Sequence, residues 1–371
     1  MLDIDIYLIM SIMMELVYDK NTNTYMRTVG TERKNVENTL KQLYNVSKAL
    51  VFSSGMNAIS VTLDVICEQM TDGTIFLYAD ELYCDTESKV IPELAKKYKT
   101  IQFVKFNLKN DELKNILEND NDSKIECIYC ESCSNPSGHM IDFDLIKQYK
   151  KKSIKNYFVV DNTWLTPVIF NPFRYNADIV IDSCTKYLSM GKAMAGASMF
   201  KNKNDYIFKR VDDMIRFLGI HVSPYNCKII HDGLCNLKDT MEKIYNRTQP
   251  ILNFLQNNEF VDQIMYPELN DTNYKKYIKK FGPGVIFFHL KVDPEFQNID
   301  NHKWKNVLKD FVEKNNIVSA TSYGKSYDLI DQWPKRDSVG LFLRFSVGYE
   351  EDTEIINKLN SLFVDLQNIK K

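Results

Sequence analysis

Short apolar runs alternate with amphipathic stretches from residue 49 to residue 200. The runs at 49–52, 74–78, 101–106, 125–130, 157–160, 179–181 and 195–200 are rich in β-branched and aromatic residues and have the length of buried strands. Before them, residues 35–44 repeat apolar positions at helical spacing. Alternation of this kind predicts an α/β fold, a large and mostly parallel sheet with helices on both faces, where ligands lie beyond the carboxyl ends of the strands. Near Gly233 the texture changes. Residues 237–254 carry long helical periodicity, with Ile251, Leu252 and Leu255 on one stripe. The sequence Phe281-Gly282-Pro283-Gly284 has turn chemistry ahead of an apolar strand, and 341–347 reads as a second strand leading into a helix at 353–366. The predicted organisation is an N-terminal arm (1–34), a large α/β domain (35–232) and a smaller C-terminal α+β domain (233–371).

Composition narrows the class. With 371 residues, 44% hydrophobic and 26% charged, the chain can bury a large core. Its formal charge is −2 and its lysines are spread along the sequence, so no basic stripe points to a nucleic-acid partner. Eight cysteines without a secretion signal read as reduced thiols of a soluble, cytoplasmic protein. The apolar segment 6–14 follows Asp3 and Asp5 instead of basic residues and is too short to span a bilayer, so it is expected to form an arm or a first helix. Cys127, Cys130 and Cys133 have the spacing of a metal motif, but a strand would turn Cys127 and Cys130 to opposite faces. His139, His221, His231, His289 and His302 show no ligand-like spacing, and no metal is expected.

Two residues carry the chemistry. Asp161 ends the run Tyr157-Phe158-Val159-Val160, and Lys186 follows Ile179-Val180-Ile181-Asp182-Ser183-Cys184-Thr185. An aldehyde cofactor needs an amine for a Schiff base, and its pyridine nitrogen needs a carboxylate that keeps the ring protonated and electron-withdrawing. Taken singly, a strand-end Asp is a turn residue and the Lys a solvated charge. Together they suggest a pyridoxal phosphate (PLP) site. The stretch Val160-Asp161-Asn162-Thr163-Trp164-Leu165-Thr166-Pro167, followed by Ala177-Asp178-Ile179-Val180-Ile181-Asp182-Ser183-Cys184-Thr185-Lys186-Tyr187, resembles the signature of the Cys/Met-metabolism PLP enzymes. These include cystathionine γ-synthase, cystathionine γ- and β-lyases and methionine γ-lyase. The resemblance runs from Tyr25 to the C-terminal helix and implies the aspartate-aminotransferase-like fold type I.

Further positions follow from the residues and from the resemblance together. In Ser53-Ser54-Gly55-Met56 a strand would turn into a helix, and exposed N–H groups there form a natural phosphate cradle. The resemblance implies that Gly55 and Met56 donate those groups and that the Ser183 and Thr185 hydroxyls reach the same phosphate. It implies that Tyr83 stacks on the cofactor and uses its hydroxyl for proton transfer, although Cys84 and Asp85 stand where the family commonly has glycines. Asn135, in Ser134-Asn135-Pro136, matches a contact to the cofactor's phenolic oxygen. Tyr25 and Arg27 match a segment that binds the phosphate of a neighbouring subunit, which implies a homotetramer built from dimers with shared sites. Arg344 sits mid-strand, where an unpaired charge would be expensive to bury, and an arginine fork suits the carboxylate of an amino-acid substrate. Ser322 corresponds to a second carboxylate contact, and Thr321 falls where family members differ according to substrate.

The resemblance implies that Lys186, released as a free base, removes the Cα proton of a bound amino acid and that Tyr83 manages the proton of a leaving thiolate. The expectation is a carbon–sulfur lyase acting on a cystathionine- or methionine-like amino acid. Two alternatives stay open: γ-replacement on an activated homoserine, and a member that binds PLP without turnover or serves secondary metabolism.

Overall fold

The computed structural model describes residues 18–19, 24–25, 30–151, 156–201, 206–291, 301–333 and 341–367. Most of the expected N-terminal arm, Arg27 included, lies outside the described residues; Tyr18–Asp19 and Thr24–Tyr25 pair as a two-residue antiparallel bridge. The chain divides into two compact units, one taking the residues up to Ser134 together with Ile141–Leu237, the other Asn135–Met140 and Lys238–Lys371.

In the first unit, β1 (Lys48–Phe52), β2 (Ile75–Ala79), β3 (Gln102–Phe106), β4 (Ile125–Glu131), β5 (Tyr157–Asp161), β6 (Ile179–Asp182) and β7 (Gly196–Phe200) form one seven-stranded sheet. Its order is β1-β7-β6-β5-β4-β2-β3, with β7 antiparallel to both neighbours and every other pairing parallel. The central strands β4 and β6 are buried along their whole length, as expected where both faces of a parallel sheet are covered. Cys127 and Cys130 lie three apart on β4 and so face opposite sides. Among the helices, α1 (Thr31–Tyr44) buries Val36, Leu40 and Tyr44 at a four-residue interval and ends at Asn45 in the left-handed region, whose N–H caps the carbonyls of Lys41 and Gln42. α2 (Gly55–Gln69) is apolar almost all round, with Ala58, Leu63, Val65 and Ile66 fully enclosed.

The second unit holds a five-stranded sheet of β8 (Val261–Met265), β9 (Val285–Leu290), β10 (Val318–Ser319), β11 (Leu329–Gln332) and β12 (Leu341–Ser346), in the order β8-β9-β12-β11-β10. It also holds the helices Leu237–Gln256, Pro267–Asn270, Thr272–Tyr277, Asn301–Lys314 and Ile355–Gln367. Asn135–Met140 groups here although it sits within the stretch expected to form the first domain. His139 Nδ1 lies 3.0 Å from Asp271 Oδ2, the Asn273 amide donates to Met140 O at 2.9 Å, and a Cβ on Gly138 would stand 2.9 Å from Pro267. No helix among the described residues is long and apolar enough to cross a membrane.

Candidate active site

The carboxyl ends of β1, β4, β5 and β6 bring the expected residues of the first unit together. Beyond β1, Ser54 caps α2: its Oγ accepts from Asn57 N at 3.1 Å, and the first helical bond runs from Ala58 N to Ser54 O. Gly55 N and Met56 N therefore have no acceptor within the helix and are available to an anion. Gly55 has no room for a side chain, because a Cβ there would stand 2.8 Å from Ser183 Oγ. At the start of β7, Gly196 plays the same part on the other side, where a Cβ would come within 2.4 Å of Ser54 O. Two glycines thus let the helix end close onto the Ser183 hydroxyl, and that contact assembles the predicted cradle.

Asp161 ends β5 and is buried. Its Oδ1 accepts twice from Thr163, from the backbone N at 2.9 Å and the hydroxyl at 2.5 Å, while its Oδ2 has no hydrogen-bond partner among the described residues. Burial raises its carboxyl to about 6, against the two Thr163 bonds that lower it. Thr163 Oγ1 also accepts from Ser183 N at 2.8 Å. Directly opposite Asp161, at the end of β4, stands Glu131. Burial, and after it the charge of Asp161, hold the Glu131 carboxyl well above its usual range.

Lys186 follows β6 through Ser183, Cys184 and Thr185, in a short loop held by Lys186 N to Ser183 O at 3.2 Å and Gly191 N to Lys186 O at 2.9 Å. The Thr185 hydroxyl is turned onto Ala195, donating to its carbonyl and accepting from its N–H, both at 3.1 Å. Of the two hydroxyls expected at the cradle, the structure sets only Ser183 against Gly55. Beneath the loop, Tyr44 donates to Asp182 Oδ2 at 2.5 Å and accepts from the Asn162 amide at 2.9 Å. Burial keeps the Asp182 carboxyl far above its usual range.

Tyr83 is 38% exposed, which excludes it from the core. Its backbone N–H donates to Glu131. The same loop is pinned by Ser134 Oγ to Glu81 at 2.9 Å, and it runs into a π-helical turn at Thr86–Val90.

In the second unit, Arg344 on β12 is buried, its guanidinium 5.0 Å above the Trp333 ring and donating to Ser322 O at 3.4 Å. Asp331 on β11 is its direct cross-strand neighbour. Arg344 and Ser322 are thus brought together, and Thr321 beside them is exposed. Asn135 Oδ1 is buried without a hydrogen-bond partner among the described residues. Tyr25 is described only in its backbone pairing with Tyr18.

Sequence reasoning did not single out Thr163, Glu131 or Trp333. Thr163 had a local signal, since an Asp followed two residues later by a donor is an Asx-turn pattern. The others depend on strand register.

The first-unit residues fit PLP. A helix end offers two open N–H groups to a phosphate, a buried carboxylate keeps one oxygen open for a ring nitrogen, and an amine-bearing residue lies on the next strand's exit. A seven-stranded sheet with one antiparallel strand, joined to that site, defines the PLP enzymes of fold type I. The chain belongs to the Cys/Met metabolism PLP-dependent enzyme family, whose sequence pattern matches residues 7–364. It is similar to the chloroplastic mimosinase of Mimosa pudica, 26% identical over 93% of this chain and 75% of that protein. It is also similar to a cystathionine gamma-lyase of Dictyostelium discoideum, 27% identical over 90% of this chain and 84% of that protein. A cystathionine gamma synthase from Xanthomonas oryzae pv. oryzae, solved with cystathionine, shares the fold with a TM-score of 0.78 at 22% identity, covering 94% of this chain and 90% of that one.

Proposed function

We propose that the protein is a PLP-dependent carbon–sulfur lyase that eliminates a thiol from Cγ or Cβ of a cystathionine- or methionine-like amino acid. The observation that carries this reading is the convergence of Asp161, Ser183, Gly55 and the Lys186 loop at the carboxyl ends of the sheet's strands, in a chain of this family. PLP, when bound, supplies the electron sink for carbanion chemistry at the substrate's Cα.

The remaining work falls to the chain's own backbone N–H groups and side chains. Gly55, Met56 and Ser183 hold the phosphate, with Thr185 joining them if its hydroxyl turns away from Ala195. Asp161 Oδ2 holds the ring nitrogen protonated, and Asn135 meets the phenolic oxygen. Lys186 tethers the cofactor and, once released as an amine, takes the proton from Cα. The Tyr83 hydroxyl delivers a proton to the leaving thiolate. Arg344, steadied by Trp333, takes the substrate carboxylate together with Ser322, and Thr321 tunes substrate choice. On this reading 35–232 is the cofactor domain and 233–371 the substrate-carboxylate domain, while Tyr25 and Arg27 complete a neighbour's site in a homotetramer. Eight cysteine thiols, none in a disulfide and most of them buried, support a cytoplasmic setting.

The second reading is γ-replacement on an activated homoserine, favoured by relatives that include a cystathionine gamma-synthase of Haemophilus influenzae. Product analysis with cystathionine, methionine and an acylated homoserine, with and without cysteine, separates the two. A 2-oxo acid from cystathionine alone supports the lyase. A thioether formed only when ester and thiol are both present replaces it with the synthase.

A further inference from the structure

We propose that Thr163 is a positioning residue of the cofactor site: its hydroxyl ties the Asp161 carboxylate to the backbone of the strand that leads to Lys186, and so fixes which carboxylate oxygen faces the ring nitrogen. The proposal rests on the reading of Asp161 as the ring-nitrogen partner.

The hydrogen-bond inventory of one hydroxyl carries the argument. A threonine hydroxyl has one proton to give and two lone pairs. Here the proton goes to Asp161 Oδ1 at 2.5 Å, and a lone pair takes Ser183 N–H at 2.8 Å. The Thr163 backbone N–H adds a second donor to the same carboxylate oxygen at 2.9 Å. Oδ1 is therefore held by two donors and Oδ2 by none among the described residues, which fixes the rotation of the carboxylate and leaves one defined oxygen for a ligand. The backbone ladder between β5 and β6 ends at Asn162 N to Ile181 O, 2.8 Å. Thr163 extends that ladder by one side-chain rung at the point where the strands would otherwise part. The rung ends on Ser183, whose Oγ is the atom packed against Gly55. A single hydroxyl thus sets the register between the ring-nitrogen carboxylate, the phosphate cradle and the start of the lysine loop. Its donor bond also favours the ionised form of Asp161, because hydrogen bonds from Thr163 lower a carboxyl that desolvation raises.

The test uses the holoprotein and the variants Thr163→Val, Thr163→Ala, Thr163→Ser and Asp161→Asn. Three quantities are followed: the rate of PLP loss on dialysis from pH 6 to pH 9, the visible absorbance across the same range, and the thermal midpoint. Thr163→Val and Thr163→Ala should lose cofactor at least tenfold faster than the parent, most steeply toward pH 6, with a visible band whose pH response is shifted. Thr163→Ser, which keeps the hydroxyl, should stay within about threefold of the parent. If Thr163→Val does not fold, Thr163→Ala against Thr163→Ser gives the same comparison. Parental retention and spectrum in the hydroxyl-free variants, even with a lowered thermal midpoint, would overturn the proposal and leave Thr163 a turn residue. Parental retention in Asp161→Asn would overturn the underlying reading of Asp161 as well. Impaired Asp161→Asn with unaffected Thr163→Val overturns the role of Thr163 alone.

Discussion

Glu131 and Asp161 face each other across neighbouring parallel strands, two buried carboxyl groups at the same level of the sheet. Only Asp161 has side-chain and backbone donors from Thr163; Glu131 receives the Tyr83 N–H. Each is raised by burial, and the charge of Asp161 raises Glu131 further, so the ionisation of one bears on the other.

The first prediction concerns pH. Asp161 has a folded pKa of about 6 against an ordinary value of 3.8, so the folded state binds its proton more tightly than the unfolded chain does. The resulting stabilisation is complete below about pH 4 and is lost as pH rises through about 6. In cofactor-free protein, Asp161→Asn should match the parent near pH 4 and become the more stable of the two above pH 6. Thermal midpoints across that range measure it, and a gap that does not change with pH would rule out a raised Asp161.

Glu131 is expected to act through the tyrosine loop. Glu131→Gln keeps an acceptor for Tyr83 N–H, so its turnover should remain within a few-fold of the parent. Glu131→Ala leaves that donor unpaired and the loop loosened, and turnover should fall by about tenfold, in line with the 1–3 kcal/mol cost of a lost buried bond. Cofactor content should be unchanged in both. Equal kinetics in the two variants would remove Glu131 from any part in placing Tyr83.

Arg344 needs its aromatic neighbour. A guanidinium on an indole face gains about 0.5–2 kcal/mol, so Trp333→Leu should raise KM by about 2- to 30-fold with little change in kcat. Arg344→Lys gives up the two-pronged fork and should raise KM further. Steady-state kinetics on cystathionine decide the matter, and an unchanged KM in both variants would take the substrate carboxylate away from Arg344.

Stability of the second unit depends on a pair that no sequence motif announced. Arg247 makes a two-point bridge to the buried Asp328, at 2.9 and 2.7 Å, and also donates to Gly348 O at 2.5 Å. Asp328 accepts from Gly348 N at 2.7 Å, closing the turn after the strand that carries Arg344. Arg247→Met strands a buried carboxylate and should cost about 3–5 kcal/mol in urea unfolding. A loss below about 1 kcal/mol would mean that water replaces the guanidinium.

Much of the first unit was legible because its strands are apolar runs that end abruptly in polar residues. All seven predicted runs are strands of one sheet, with ends shifted by a residue or so. Asp161 and Lys186 were legible for the same reason, each standing just past such a run. In the second unit, Val285–Leu290 and Leu341–Ser346 were read, whereas Val261–Met265, Val318–Ser319 and Leu329–Gln332 were not. Those three are short or contain Asp, Gln and Ser, and their pairing comes from neighbours distant in sequence. The Thr163–Ser183 rung, the Arg247–Asp328 bridge and the turn of Thr185 onto Ala195 were invisible because each partner is chosen by the fold and not by spacing.

The proposed chemistry turns on Lys186 as the residue that carries the cofactor. Borohydride reduction of the holoprotein, followed by peptide mass spectrometry, should place one pyridoxyl phosphate group on the peptide containing Lys186, and Lys186→Ala should lose both the label and the yellow colour. A label on another lysine, or none on a coloured protein, would take the cofactor away from Lys186.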